Sequence, residues 1–66
     1  MNLISVSSSN VRAIGYEDGV IEVHFRNGYV YQYNANQSLF HAFLSAPSKG
    51  KFVHQHLKHL PTRRIR

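Results

Sequence analysis

The stretch Phe25-Arg26-Asn27-Gly28-Tyr29-Val30-Tyr31-Gln32-Tyr33 decides how this chain folds. Side chains alternate along a strand, so Tyr29, Tyr31 and Tyr33 share one side of it. Which side depends on the turn before them. With a two-residue Asn27-Gly28 loop, Arg26 faces Tyr29, and the tyrosines join Glu22 and His24 as an aromatic platform bordered by cations. With a three-residue loop over Arg26-Asn27-Gly28, Gly28 takes the left-handed position of a G1 bulge. Phe25 then pairs with Tyr29, Val23 with Tyr31 and Ile21 with Tyr33. A one-residue slip exchanges the entire set of faces. The longer loop is physically better, because all three cross-strand pairs join apolar and aromatic partners. It also collects Glu22, His24, Val30 and Gln32 on the other face, whereas the shorter loop would send Gln32 and Asn34 toward the core. The tyrosines are therefore expected in the core, with their hydroxyls at the sheet rim.

Outward from the turn, Val20 to Arg26 alternates with Ile21, Val23 and Phe25 on one side. Glu17-Asp18-Gly19 has turn chemistry, and Val11 to Tyr16 reads as a shorter strand before it. Beyond Asn34 the period changes. Asn36 can cap a helix carrying Leu39, Phe40, Phe43 and Leu44 at helical spacing. Pro47 stops it. Ser48 can cap a second helix with Phe52, Val53, His56, Leu57 and Leu60 on one stripe, ended by Pro61. The predicted fold is α+β, a three-stranded antiparallel meander followed by two short helices packed on one face (βββαα). Residues 11–60 form the domain, 1–10 a lead-in able to supply an extra strand, and 61–66 a basic tail. The predicted core is Ile14, Ile21, Val23, Phe25, Tyr31, Tyr33, Phe40, Phe43, Leu44, Phe52 and Leu57.

Composition narrows the function classes. A chain of 66 residues holds one small core. It has no cysteine, so disulfides, thiolate zinc sites and an active-site thiol are excluded. No apolar run approaches the roughly 20 residues of a membrane span. The N-terminal segment lacks the features of a secretory signal, so a cytoplasmic protein is expected. The net charge is +5 and uneven: residues 1–48 carry two arginines against three acids, and residues 49–66 carry six cations and no acid. Such asymmetry points to a polyanionic partner.

Ser9-Asn10, Ile14-Gly15-Tyr16, Val23-x-Phe25-x-x-Gly28, Tyr31-Gln32-Tyr33 and Ser48-Lys49-Gly50 occur in this order. Together they make the chain resemble the KTSC family, whose domain occurs at the C-terminus of some lysyl-tRNA synthetases and as a small stand-alone protein. The resemblance spans about positions 9 to 60. It implies a compact autonomous domain and supplies no catalytic residue. RNA binding is what the synthetase association suggests, although no synthetase domain is present here.

The candidate contacts to nucleic acid are Lys49, Lys51, Lys58, Arg63, Arg64 and Arg66, with Tyr29, Tyr31 and Tyr33 as candidate aromatic contacts. Lysine and arginine bind phosphates by charge and counterion release, with no base-specific geometry. A lysine-rich helix face can equally be mere solvated surface, but here no acids are interspersed. His54, His56 and His59 lack a nearby carboxylate, and His56 falls on the apolar stripe, so a partly buried structural histidine is expected there and no metal site. Three acids near one turn make no acid–base pair in a cleft, and no nucleophile elbow or glycine-rich phosphate loop occurs. The expectation is a non-catalytic binding domain without cofactor, a monomer or weak homodimer, that binds RNA or another nucleic acid through its C-terminal helix and tail. The alternative is a protein-interaction module that docks through a sheet edge or the apolar segment Leu3, Ile4 and Val6.

Overall fold

In the computed structural model, which describes residues 1–66, the decisive turn has three residues. The Phe25 N–H donates to the Tyr29 carbonyl at 2.9 Å and the Gly28 N–H to the Phe25 carbonyl at 3.1 Å. Gly28 has φ +95°, a conformation that costs glycine little and other residues more. The Tyr29 N–H is held by Asn27 Oδ1 at 3.0 Å. Strand β3 (Val20–Phe25) then pairs with β4 (Val30–Asn34) in the register Ile21↔Tyr33, Val23↔Tyr31 and His24↔Val30. This is the register expected from cross-strand chemistry.

The sheet has five strands rather than three. Strand β2 (Val11–Glu17) pairs with β3 through the two-residue Asp18-Gly19 turn. The lead-in supplies β1 (Leu3–Ser5), which pairs with β2 as Leu3↔Gly15, Ile4↔Ile14 and Ser5↔Ala13. The expected tail forms β5 (Thr62–Arg64), paired with β4 as Tyr33↔Thr62, Gln32↔Arg63 and Tyr31↔Arg64. All five strands are antiparallel neighbours in chain order. The physical reason for the two additions is the same. A three-stranded meander leaves a row of unpaired N–H and C=O groups along each edge, and the flanking segments satisfy them. The Val30 N–H, for example, donates to the Arg66 carbonyl at 3.0 Å, and the Val30 carbonyl accepts from Ile65 at 2.7 Å.

Between β4 and β5 the chain crosses one face of the sheet as two helices. Helix α1 (Gln37–Ser45) is capped by Asn36, whose Oδ1 accepts from the Leu39 N–H at 2.8 Å. Helix α2 (Lys49–Phe52) is capped by Ser48 Oγ. It does not continue as the expected regular α-helix but widens into a π-helical turn over Val53–Leu57, with the Lys58 N–H donating to the Val53 carbonyl at 2.9 Å. The wider turn brings residues five apart onto one side. Phe52 and Leu57 are both buried as a result, while His56, expected to be partly buried, stays exposed with its ring against Phe52.

The core contains Ile14, Ile21, Val23, Tyr33, Phe40, Phe43, Phe52 and Leu57 as expected, with Phe25, Tyr31 and Leu44 only half-buried at its margin. Val11 is a fully buried addition. A bulge between Val11 and Ala13 lets Val11 pair with Phe25, and Ile14 with Val23, so that two residues three apart both face inward. Phe43 stacks on Phe52 at 4.9 Å between ring centroids, and Phe40 on Tyr16 at 5.6 Å. No helix is long and apolar enough to cross a membrane.

The outer face carries a polar network in place of a second layer. Glu22 accepts from Gln32 Nε2 at 2.8 Å and lies 2.6 Å from His24 Nε2. These two hydrogen bonds, His24 first, hold the Glu22 carboxyl below its ordinary pKa. Beside it, β1 closes over Gly15, where a Cβ would lie only 2.7 Å from the Asn2 carbonyl oxygen. Gly15→Ala should therefore destabilise the fold by about 1–3 kcal/mol through overpacking. Denaturant unfolding measures the loss, and hydrogen exchange should show β1 amides losing protection before those of β3. Unchanged stability with β1 still protected would contradict this packing.

Candidate nucleic-acid interface

Three separate pieces of the sequence meet beside the β3–β4 turn: the Ser7–Asn10 loop, Arg26 and α2. The loop is shaped by Ser8, whose Oγ accepts from the Val11 N–H at 3.2 Å. It is fastened to the turn by Arg26, whose Nε donates to the Ser8 carbonyl at 2.7 Å and whose backbone N–H donates to the Asn10 carbonyl at 2.9 Å. That tether uses one guanidinium donor and leaves the two terminal amino groups of Arg26 as further donors. From the other side, Asn10 lies against α2, its Nδ2 3.1 Å from where a Cβ on Gly50 would stand.

An open cleft of about 600 Å³ lies at this junction, lined by Ser9, Asn10, Phe25, Arg26, His54 and Lys58 among others. The Lys58 ammonium donates to His54 Nδ1 at 3.3 Å, which holds the two side chains together on the cleft wall. Ser9 and Arg26 also border a neighbouring polar depression with Ser7, Ser8, Ser48 and Lys49. None of the three acids lines either hollow. Glu17 ends β2 and Asp18 lies in the β2–β3 turn, and Glu22 is occupied on the outer face. Hydroxyls, amides and fixed cations with no carboxylate form an environment suited to anionic oxygens.

The six cations singled out in the sequence do not form one patch. Lys58 lines the cleft, and Lys51 is exposed on α2. Lys49 points its ammonium back at the end of α1, donating to the Ala46 carbonyl at 2.6 Å and the Leu44 carbonyl at 3.2 Å. It satisfies helix-end acceptors. Arg63 pairs with Gln32 and so lies on the outer face, away from the cleft. Arg66 is exposed at the end of the chain. Arg64 pairs with Tyr31 and reaches diagonally to Tyr29, its guanidinium carbon 4.8 Å from the ring centroid, within cation–π range.

The tyrosines divide as well. Tyr33 is 4% exposed beneath the helices, so it belongs to the core and offers no contact surface. Burial holds its hydroxyl above the ordinary pKa, with Tyr31 adding to the effect. Tyr31 is half-buried, and Tyr29 is 45% exposed. Phe25 links these rings to the cleft, since it lines the cleft and meets Tyr31 edge-on at 5.7 Å. Charge counting along the sequence missed Arg26, the Ser7–Asn10 loop and His54 as parts of a single site. The available signal was the pairing of the motifs Ser9-Asn10 and Ser48-Lys49-Gly50, which converge here.

A family model described as KTSC domain matches residues 7–60. Among solved structures, a KTSC domain protein from Yersinia pestis is similar to this chain, with 36% sequence identity and a TM-score of 0.89, over 98% of this chain and 97% of that one. No curated protein gives a significant match.

The division between Lys49 and Lys51 is measurable. Lys49→Met should destabilise the domain by about 1–3 kcal/mol, because two carbonyls lose a charged donor. Lys51→Met should stay within about 0.5 kcal/mol of the parent. Equal effects in thermal or denaturant unfolding would contradict a structural role for Lys49.

Proposed function

The chain belongs to the KTSC domain family, and from the cleft that this member presents we propose that it is a non-catalytic domain that binds nucleic acid, RNA foremost. The supporting observation is the meeting of Arg26, His54 and Lys58 with the serine-rich loop in one acid-free cleft. Phosphate oxygens are the ligands such a site suits, and a polyanion repeats them. The contact surface in this reading is Arg26, Lys58, Lys51 and Arg64. Lys49 serves the fold instead, and Arg63 faces elsewhere.

The binding is mainly electrostatic, so salt dependence is its signature. Three or four phosphate contacts to a single strand give a slope of about −2 to −3 in log K against log salt. Arg26→Glu with Lys58→Glu should weaken binding at least about tenfold at low salt and remove roughly 0.7 from the slope for each cation lost. Fluorescence anisotropy with labelled single-stranded RNA, single-stranded DNA and duplex DNA at two salt concentrations measures both. Absence of binding at low salt contradicts the proposal.

A protein partner at the sheet edge is the second reading. It rests on Leu3 and Ile4, which are 43% and 45% exposed on the edge strand β1. The edge is only three residues long and already paired on its inner side, a format that limits strand addition. Under this reading, Leu3→Ser with Ile4→Ser abolishes partner capture, and the Arg26 and Lys58 substitutions do not.

A further inference from the structure

The rings along β4 and on Tyr29 just before it lose cover in steps. Tyr33 is 4% exposed and Tyr29 45%, with half-buried Tyr31 between them. Tyr31 and Tyr33 are stacked with centroids 6.2 Å apart, and Tyr29 and Tyr31 are tilted at 6.4 Å. The strip therefore begins in the core and emerges beside the cleft. At its open end stands Arg64, whose guanidinium carbon is 4.8 Å from the Tyr29 centroid. A phenol ring and a guanidinium are both flat surfaces on which nucleobases stack. Burial does not require Tyr29 here, because the core closes on Tyr33, Val23 and Val11 without it.

We infer that the nucleic acid is single-stranded and that an unpaired base stacks at Tyr29 and Arg64, while its neighbouring phosphates run into the cleft along Phe25, Arg26 and Lys58. This inference rests on the nucleic-acid reading and specifies the form of the ligand. A duplex hides its base faces in its own stack and offers this surface only phosphates. A strand with unpaired bases offers both. The chain measures 25 × 25 × 23 Å, so the site takes a short stretch of strand, near the low end of the roughly 4–16 nucleotides held by small single-strand-binding domains. Stacking is tolerant of base identity, so weak sequence preference accompanies strong preference for single strands.

The chain contains no tryptophan, which makes Tyr29→Trp a unique fluorescent reporter at the site. Titration of that variant with a short single-stranded RNA should quench its emission, and an abasic strand of equal charge should not. Tyr29→Ala should lower affinity for single-stranded RNA roughly ten- to a hundredfold while changing duplex or abasic-strand affinity less than about twofold. Arg64→Lys keeps the charge and loses the plane, so it should weaken the same preference. Circular dichroism melting of each variant shows that the fold is intact. If Tyr29→Ala binds single strands as the parent does, while Arg26→Glu with Lys58→Glu abolishes binding, the stacking site is overturned and the nucleic-acid reading stands. If the parent binds no strand of any kind at low salt, both are overturned.

Discussion

The conformation of Gly28 is the constraint on which the rest of the molecule depends. A positive φ at that position makes the β3–β4 turn three residues long, and the length of the turn sets the register. The register puts Ile21, Val23 and Phe25 on the same face as Tyr29, Tyr31 and Tyr33. The helices then have one apolar face to cover, and the outer face is left to Glu22, His24 and Gln32. A turn shorter by one residue would exchange these sets and bury the amide of Gln32 in place of a tyrosine ring. The same turn also presents Arg26 to the Ser7–Asn10 loop. One backbone conformation thus shapes both the core and the cleft.

Charge in this chain is separated by the fold more than by the sequence. Along the chain the cations crowd into residues 49–66. In space they part company: Lys49 ends α1, Arg63 faces outward, Lys58 enters the cleft and Arg64 joins the aromatic strip. Arg26, distant in sequence, comes to the cleft from the other side. The acids are excluded from this surface because Glu17 and Asp18 lie at the far turn and the third is bound by His24 and Gln32. An acid-free region results, and its basic side chains are interleaved with Phe25, Tyr29 and Tyr31.

Much of this was legible in the sequence where local chemistry and tertiary need agree. The meander, the long turn, the Asn36 cap and the apolar stripe of α1 follow from turn residues and periodicity, whereas the stripe read for the second helix included His56, which is exposed. The flanking strands were less legible. Leu3–Ser5 and Thr62–Arg64 are three residues long and carry no alternation of their own, and they become strands because β2 and β4 need edge partners. Val11 escaped because a bulge breaks the period of two that would have marked it. The π-helical turn escaped because its widening answers to packing between Phe52 and Leu57. At the candidate site the residue types were visible, but their grouping was not, since Arg64 reaches Tyr29 only through the β4–β5 register. Lys49 is a parallel case, since nothing in the sequence shows that its ammonium turns back to α1.

The proposed ligand surface is continuous, running from the cleft to Tyr29. Backbone amide shifts during titration with a short single-stranded RNA test it most directly. Changes are expected at Ser9, Asn10, Arg26, Tyr29, His54, Lys58 and Arg64, with the outer face and β1 silent. Changes centred on Leu3, Ile4, His24 or Arg63 would contradict it.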